Sequence, residues 1–441
     1  VIVMKFGGSS VANRTQIDKV MAIVRAHRDR RPVVVSSAHK GITDLLIDSA
    51  RDAAAGTPPD DRAIDRQREI AAELGCDASL LEPFWSEIQD LLRGIHLVRE
   101  LSPRSLDYIS SFGERMSVRC IADFFSRHDL PSQAFDAWTL GFQTDSQFGR
   151  ARPLPGYDAR VRDAFASAVP EGVVPIVTGF IGKNQAGEIT TLGRNGSDLT
   201  ATLVGAALRA EEVQIWSDTD GVMTADPSIV PGAKSIPTMR FDEAAELAYF
   251  GSRMLHPATL VPAIDNDIPV RVLNTNRPAH PGTVISGSPP PKDAPVTSIA
   301  YKEGQTVLTI FSPRMFEQVG FLADAFGIIA RAEVIVDMVA TSEVSVSVTS
   351  HDAERLRNAV PELSRLGRVD VQGGKTILAV VGRDIRDRKG IAAQVATALT
   401  EADVNIEMYS FGMGSNNMSV VIDDDAVDRA VRNLHAALFE R

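Results

Sequence analysis

The 441-residue chain is poor in cysteine, holding only Cys76 and Cys120. Two cysteines build neither a disulfide framework nor a cysteine-based zinc site, and the simplest setting for them is a reduced, cytoplasmic compartment. Long apolar runs are missing too: none approaches the roughly 18 residues that a bilayer span needs. The opening run Val1-Ile2-Val3-Met4-Lys5 leads straight into a strand pattern and is too short and wrongly flanked for a secretory leader. There is no basic surplus, since 46 Lys+Arg face 57 Asp+Glu for a formal net charge of −11. That balance argues against nucleic acid or an anionic membrane as a partner. The eight histidines form no H-E-x-x-H or other paired-ligand spacing, so no protein-built metal site is expected, and there is no G-x-S-x-G nucleophile elbow.

What is present is an ordinary globular balance, 44 % hydrophobic and 23 % charged, enough to bury a core. At about 150 residues per domain the length corresponds to about three domains. Three β-type runs, Val1 to Met4, Pro32 to Ser36 and Val173 to Thr178, each lead through glycine-bearing turns into a helical pattern. Strand–loop–helix alternation of this kind predicts a mostly parallel sheet covered by helices, with ligands at the carboxyl ends of its strands. Residues 60 to 130 read as mostly helical, with Pro83 suited to the start of a helix.

The Pro-, Gly- and Ser-rich run Arg277 to Pro295 reads as the main linker. Beyond it the sequence repeats. Thr306-Val307-Leu308-Thr309-Ile310 recurs as Thr376-Ile377-Leu378-Ala379-Val380, Gly320 as Gly390, and Val334 to Met338 as Val404 to Met408, all 70 residues on. Val344-Ser345-Val346 best matches Met418-Ser419-Val420, 74 residues on, which predicts a loop about four residues longer in the second copy, from Ser410 to Asn417. Two small α/β modules follow from this repeat.

Four segments carry candidate chemistry. Lys5-Phe6-Gly7-Gly8-Ser9-Ser10 ends the first strand; it is either a plain turn or a loop whose N–H groups and lysine approach phosphate. Its order of Gly and Lys is not that of a Walker A loop. Gly193-Arg194-Asn195-Gly196-Ser197-Asp198 precedes a helix over Leu199 to Arg209, with Ser197 and Asp198 where N-caps sit. It is either a capped helix or an anion site in which Arg194 pairs with a carboxylate at two points. Ser217-Asp218-Thr219-Asp220-Gly221 follows a strand over Val213 to Trp216; composition alone leaves a turn and a nucleotide contact equally open. Glu114, within Ser111 to Ser117, reads in isolation as a surface residue of a helix.

Taken in order, these motifs resemble the aspartate kinases of the amino-acid kinase family, in the monofunctional, lysine-sensitive type. The resemblance also runs through Phe148-Gly149-Arg150-Ala151, Thr178 to Gly182, Ile215 to Asp226, Phe241 to Ala258, Gly320-Phe321-Leu322, Thr341 to Val346 and the ending Leu438-Phe439-Glu440. It implies an α/β amino-acid kinase fold, a mostly parallel sheet sandwiched by helices, followed by two C-terminal ferredoxin-like βαββαβ ACT modules. The expected boundaries are a catalytic domain over 1–283, a linker over 284–297, a first ACT module over 298–370 and a second, interleaved with it, over 371–441.

The resemblance further implies ATP- and Mg²⁺-dependent phosphorylation of the β-carboxylate of L-aspartate, the first step towards lysine, threonine and methionine. By the same resemblance Lys5 contacts the ATP phosphates and Gly7, Gly8 and Ser9 shape their cradle. Asp198 orients Lys5 or the substrate ammonium. Arg194 holds the substrate α-carboxylate and Glu114 its ammonium, while Ser37, Thr43, Phe180 and Ser197 line the pocket. Ser217 and Asp218 belong to the adenosine site, and Met223, Ser228 and Arg253 face the nucleotide where the family has Tyr, Arg and Lys. Asn195 and Ser9 also depart from the family, replacing Gly and Thr, and His39-Lys40 is an unusual pair ahead of Gly41. Met315, Phe321, Leu322, Asp337, Ser342, Glu343 and Val344 match positions that bind lysine as inhibitor, although Gln318 and the Phe411 to Asn417 segment depart. A homodimer through the ACT modules is expected, with a tetramer as the alternative. Two other readings stay open: a same-fold kinase of another acidic amino acid, and a catalytically silent amino-acid sensor that keeps the ACT modules.

Overall fold

The computed structural model describes residues 1–250, 257–290, 295–316, 318–383, 385–412 and 416–440. Contacts divide the chain into two units. The first holds Val1–Val222, Ser235–Phe241 and Met254–Pro290; the second holds Met223–Lys234, Asp242–Arg253 and Pro291–Arg441.

The first unit is built on strands β1 (Ile2–Phe6), β2 (Pro32–Ser36), β3 (Ser132–Phe135), β4 (Gln143–Thr144), β5 (Val174–Thr178), β6 (Ile181–Asn184), β7 (Ile189–Thr191), β8 (Glu212–Ser217), β9 (Thr238–Arg240), β10 (Val270–Asn274) and β11 (Thr283–Ser286). Eight of them form one sheet in the order β3-β5-β2-β1-β8-β10-β11-β9, and β4, β6 and β7 form a small side sheet. From β3 to β10 every neighbouring pair is parallel; only β11 runs antiparallel to β10. Strands covered on both faces read as continuous apolar runs. In β1 every residue is buried except Lys5, near its carboxyl end.

The helices are α1 (Arg14–Ala26), α2 (Ile42–Ala55), α3 (Arg62–Leu74), α4 (Glu82–Val98), α5 (Pro103–Ser110), α6 (Phe112–Arg127), α7 (Tyr157–Ala168), α8 (Gly196–Leu208), α9 (Phe241–Tyr249) and α10 (Pro257–Asp265). One core cluster joins Ile2, Met4 and Phe6 of β1 to Ile17 and Val20 of α1, Leu46 of α2, and Met116 and Phe124 of α6. Helix α8 is buried from Gly196 to Ala207, its polar Ser197, Asp198, Thr200 and Thr202 included. The expected 277–295 linker is not all connection: Thr283–Ser286 pairs with β10 and β9, because its alternating Thr-Val-Ile-Ser pattern supplies a half-buried strand.

The second unit follows with β12 (Ser298–Phe311), α11 (Phe321–Arg331), β13 (Met338–Thr341), β14 (Ser345–Ser350), α12 (Ala353–Leu363), β15 (Arg368–Val381), α13 (Ile391–Glu401), β16 (Met408–Ser410), β17 (Asn417–Asp423) and α14 (Val427–Phe439). Its six strands form one antiparallel sheet, β13-β14-β12-β15-β17-β16, so the two βαββαβ modules share a sheet through their long first strands β12 and β15. The repeat is visible in the backbone: Gly320 and Gly390 cap α11 and α13 with the same φ of 93° and ψ of −10°.

One sequence expectation is corrected. The ladder sets Val348 opposite Val339 and Val420 opposite Tyr409, so the last matched strands are 72 residues apart, not 74. The extra loop is two residues shorter than expected. A shift of two residues keeps every side chain on its own face, so an alternating apolar pattern cannot separate the two alignments.

Candidate functional site

The site is assembled at the carboxyl ends of β1, β2 and β5 and the start of α8. Lys5 points its ammonium at Asp198 Oδ1, 2.7 Å away, with only 12 % and 7 % of the two side chains exposed. The turn after β1 folds back as Ser10 N–H donates to the Gly7 carbonyl at 2.9 Å. A Cβ on Gly7 would lie 3.4 Å from Lys5 Nζ, and one on Gly8 would press to 3.2 Å from the Ala38 carbonyl. The turn is therefore closed over Lys5 on one side and over the 38–40 loop on the other.

The loop after β2 is fixed from both ends. Ser37 N–H donates to the Phe6 carbonyl at 3.1 Å, and Ser37 Oγ donates to Ser197 Oγ at 3.0 Å. Ala38 N–H donates to Glu114 Oε1 at 3.1 Å. Helix α6 can approach this closely because residue 113 is glycine: a Cβ there would sit 2.7 Å from Ala38 Cβ and 3.1 Å from Thr43 Oγ1. Thus Thr43 and Glu114 join the same wall. Glu114 is not the surface residue that isolated reading suggested; it is 4 % exposed, and its Oε2 has no hydrogen-bond partner among the described residues. Burial pushes its carboxyl up to about 8, against the pull of the Ala38 N–H.

The turn after β5 packs onto the start of α8. A Cβ on Gly179 would fall 2.6 Å from Ser197 Cβ, so only glycine admits the contact. Phe180 takes a left-handed φ of 66°, a geometry uncommon for bulky residues and often concentrated at ligand sites. It is held there by its N–H to Thr200 Oγ1 at 3.1 Å and by the Leu192 N–H to its carbonyl at 2.9 Å. The N-cap of α8 is Asn195, with φ 55° and no side-chain cap bond, not Ser197 or Asp198. These two lie inside the first turn, where Ser197 meets Ser37 and Asp198 meets Lys5 instead of capping backbone. Asn195 tolerates the left-handed conformation better than most side chains, which explains how it stands where glycine is expected. Arg194 is exposed and has no ion-pair partner among the described residues.

Residues at the end of β8 divide. Ser217 Oγ lies 3.1 Å from Thr219 Oγ1, and Asp218 is exposed. Asp220 is tied to Asn274 Nδ2 at 2.7 Å and to the Arg277 guanidinium, so it holds the turn to the end of β10. Met223 and Ser228 belong to the second unit, where Ser298 Oγ donates to the Met223 carbonyl and Ser228 Oγ donates to Asp226. Arg253 lies outside the described residues. The lysine-site candidates fall within the second unit. Met315 ends a short helical turn and packs with buried Phe321. The Ser312 N–H donates to the Val344 carbonyl, which ties that turn to the β13–β14 hairpin carrying Ser342 and Glu343. Leu322 is 41 % exposed, whereas the Asp337 carboxylate is 1 % exposed.

Two further residues carry contacts that the sequence did not announce. Asp107, on α5, accepts from Gly149 N–H, Thr191 N–H and Thr191 Oγ1, each at 2.8 Å, and so pins the Phe148 to Ala151 loop beside the strand leading to Gly193. The only signal was an acid on the buried face of an amphipathic helix. His39, noted in sequence only as part of an unusual pair, is 1 % exposed, and its Nδ1 sits 2.6 Å from the Val11 carbonyl. Burial lowers its pKa from 6.5 to about 4, so the ring is neutral and Nδ1–H donates. The depressed value means that stability is lost as pH falls from about 6.5 through 4, by about 3 kcal/mol from this ring. Urea midpoints of the wild type are expected to drop more steeply over that window than those of His39→Asn; equal slopes contradict the assignment.

The sequence profile of the amino acid kinase family matches residues 1–274, and that of the ACT domain matches residues 378–438. Aspartokinase 2, chloroplastic, of Arabidopsis thaliana is 39 % identical, over 99 % of this chain and 84 % of its own length. The chain belongs to the aspartokinases of the amino acid kinase family. Among its aspartokinase relatives, lysine-sensitive aspartokinase 3 of Escherichia coli is 36 % identical over 100 % of this chain and 99 % of that protein. The crystal structure of E. coli aspartokinase III with aspartate and ADP, described as the R-state, aligns over 100 % of both chains at 35 % identity with a TM-score of 0.85. The same enzyme with lysine and aspartate, described as the T-state, aligns at 35 % identity over 100 % of this chain and 99 % of that one, with a TM-score of 0.75. The aspartokinase fold and the paired ACT modules expected from the motifs are therefore present.

Proposed function

We propose that this chain transfers the γ-phosphoryl group of ATP to the β-carboxylate of L-aspartate, giving 4-phospho-L-aspartate, and that lysine inhibits it. The observation that carries the reading is the Lys5–Asp198 pair, set in one cluster with Ser37, Ser197 and the buried, half-paired Glu114. A carboxylate acceptor, with an ordinary pKa of about 3.9, is already ionised at pH 7, so no general base is required. The barrier is electrostatic: two anions must meet while charge is spread over the transferring group.

Lys5 supplies a fixed cation to phosphate oxygens, and Asp198 holds its ammonium in place. Gly8 and Ser9 offer backbone N–H groups beside it, while the Gly7 N–H donates to the Trp216 carbonyl. Glu114 takes the substrate ammonium through its unpartnered Oε2, and Arg194 takes the α-carboxylate at two points. Ser37, Thr43, Phe180 and Ser197 fix the substrate between them. Among the described residues no group of three or more His, Cys, Asp or Glu could hold a metal ion. Mg²⁺ is usually held by nucleotide phosphates with one or two carboxylates, and exposed Asp218 offers one. Bound Mg-ATP supplies the phosphoryl group and a charge that offsets its oxygens. Ser217, at the end of β8, contributes to the adenosine side. Cytoplasmic placement is supported by low cysteine use, and no helix among the described residues is long and apolar enough to cross a membrane. Exposed Val319, Ile335 and Val344 support a homodimer through the ACT modules.

The test is ADP release with a panel of acidic amino acids at about 1 mM each, near the upper end of ordinary KM values. L-Aspartate is expected to give the highest kcat/KM, and added lysine to depress the rate. A higher kcat/KM for another acid supports a same-fold kinase of that acid instead. Lysine binding without any turnover supports the silent sensor.

A further inference from the structure

The two ACT modules treat one carboxylate differently. In the second module Glu407 is held by Lys375, whose side chain is 8 % exposed and whose Nζ also lies 2.7 Å from Asp423. In the first module the matching residues are Asp337, Gln305 and His351. The pairing supports this match, since Met338 lies opposite Thr349 as Met408 lies opposite Val421. Gln305 carries no charge, and its fully buried amide has no hydrogen-bond partner among the described residues. Yet the Asp337 carboxylate is as buried as a carboxylate can be, at 1 % exposure, and a buried charge needs a partner. It takes one from elsewhere. Lys302, on β12, brings its ammonium to 2.8 Å from Asp337 Oδ2. The Tyr249 hydroxyl of α9 donates to Asp337 Oδ1 at 2.9 Å, and its ring lies 5.2 Å from Lys302 Nζ. His351 Nδ1 stands off at 3.7 Å. Unlike Lys375, Lys302 is 26 % exposed and reaches solvent.

We propose that Lys302 is a tethered competitor of the effector: its ammonium occupies Asp337 until an amino group of free lysine displaces it, while buried Lys375 keeps the second module closed to the same exchange. This rests on the reading above of lysine as inhibitor and Asp337 as one of its contacts. A resident ammonium lowers the apparent affinity of an incoming one by the fraction of time it occupies the site. Exchange also changes what the Tyr249 hydroxyl meets, and Tyr249 ends the helix that directly follows β9 in the chain.

The experiment is titration calorimetry of the full-length protein with L-lysine, on the wild type, Lys302→Met and Lys302→Arg, each first checked for an intact thermal transition. Lys302→Met removes the competitor and is expected to bind lysine about fivefold more tightly. Lys302→Arg places a forked guanidinium on Asp337 and is expected to bind lysine several-fold more weakly. Because the two shifts have opposite signs, loss of fold in one variant leaves the other to decide. A wild type that binds lysine while the folded variants bind it equally overturns the competition alone. A wild type that does not bind lysine overturns the effector reading, and the competition with it.

Discussion

Lys5→Ala lowers kcat by about 10³-fold, the scale on which a single preorganised charge-stabilising donor acts. Lys5 is the one residue of β1 that is not buried, and its ammonium is fixed by Asp198 at 2.7 Å rather than left to solvent. A cation already in place needs no reorganisation when charge shifts onto the transferring phosphoryl group. The substitution has a structural consequence too, because Asp198 is left buried without its counter-ion, and breaking such a pair costs about 3–5 kcal/mol. Asp198→Asn in the same background removes the stranded charge. The double variant is therefore expected to regain thermal stability without regaining activity. Recovery of kcat in the double variant would show that Lys5 acts only through stability.

Glu114→Gln raises the KM for aspartate about 100-fold, as loss of a hydrogen bond to a charged group of about 3 kcal/mol implies. Its effect on stability has the opposite sign. The folded carboxyl titrates near 8, raised from 4.5 by burial. A carboxyl raised in this way contributes stability that is complete below 4.5 and is lost as pH climbs through 8, about 5 kcal/mol in all. Gln does not titrate, so the variant is expected to lose less stability than the wild type between pH 5 and 9 by urea unfolding. Calorimetry gives an independent reading. Glu114 is mostly protonated at pH 7 in the free protein, and pairing with the substrate ammonium requires the carboxylate. Aspartate binding should then release about one proton, seen as a dependence of the heat on buffer ionisation, and absent in Glu114→Gln. Equal KM values, or proton release unchanged in the variant, contradict the assignment of Glu114 to the ammonium.

Much of this was legible because glycine and strand ends are local signals. The β1, β2 and β5 runs and their glycine turns sit where alternation and turn residues placed them, while α8 starts three residues earlier than its expected Leu199. The repeat was legible to within the two residues that an alternating pattern cannot resolve. What escaped depends on pairs distant in sequence. Asp107 reaches Thr191 across 84 residues, and nothing near position 107 announces that partner. His39 lies in a loop and gave no sign of burial, because that burial comes from Val11 and from the packing around it, not from its neighbours in the chain. Glu114 looked exposed until Gly113 brought α6 down onto Ala38. The segments Met223–Lys234 and Asp242–Arg253 carry motifs of the kinase half, yet their contacts are those of the second unit, through Ser298, Thr297 and Asp337. Linear order does not announce those partners.

The most direct measurement is trapping of the acyl phosphate by hydroxylamine, with purified wild type and Lys5→Ala, in L-aspartate and Mg-ATP. Aspartyl hydroxamate is expected from the wild type and to fall by about 10³-fold in the variant. No hydroxamate from the wild type, or the same amount from Lys5→Ala, contradicts an aspartate-phosphorylating site built around Lys5 and Asp198.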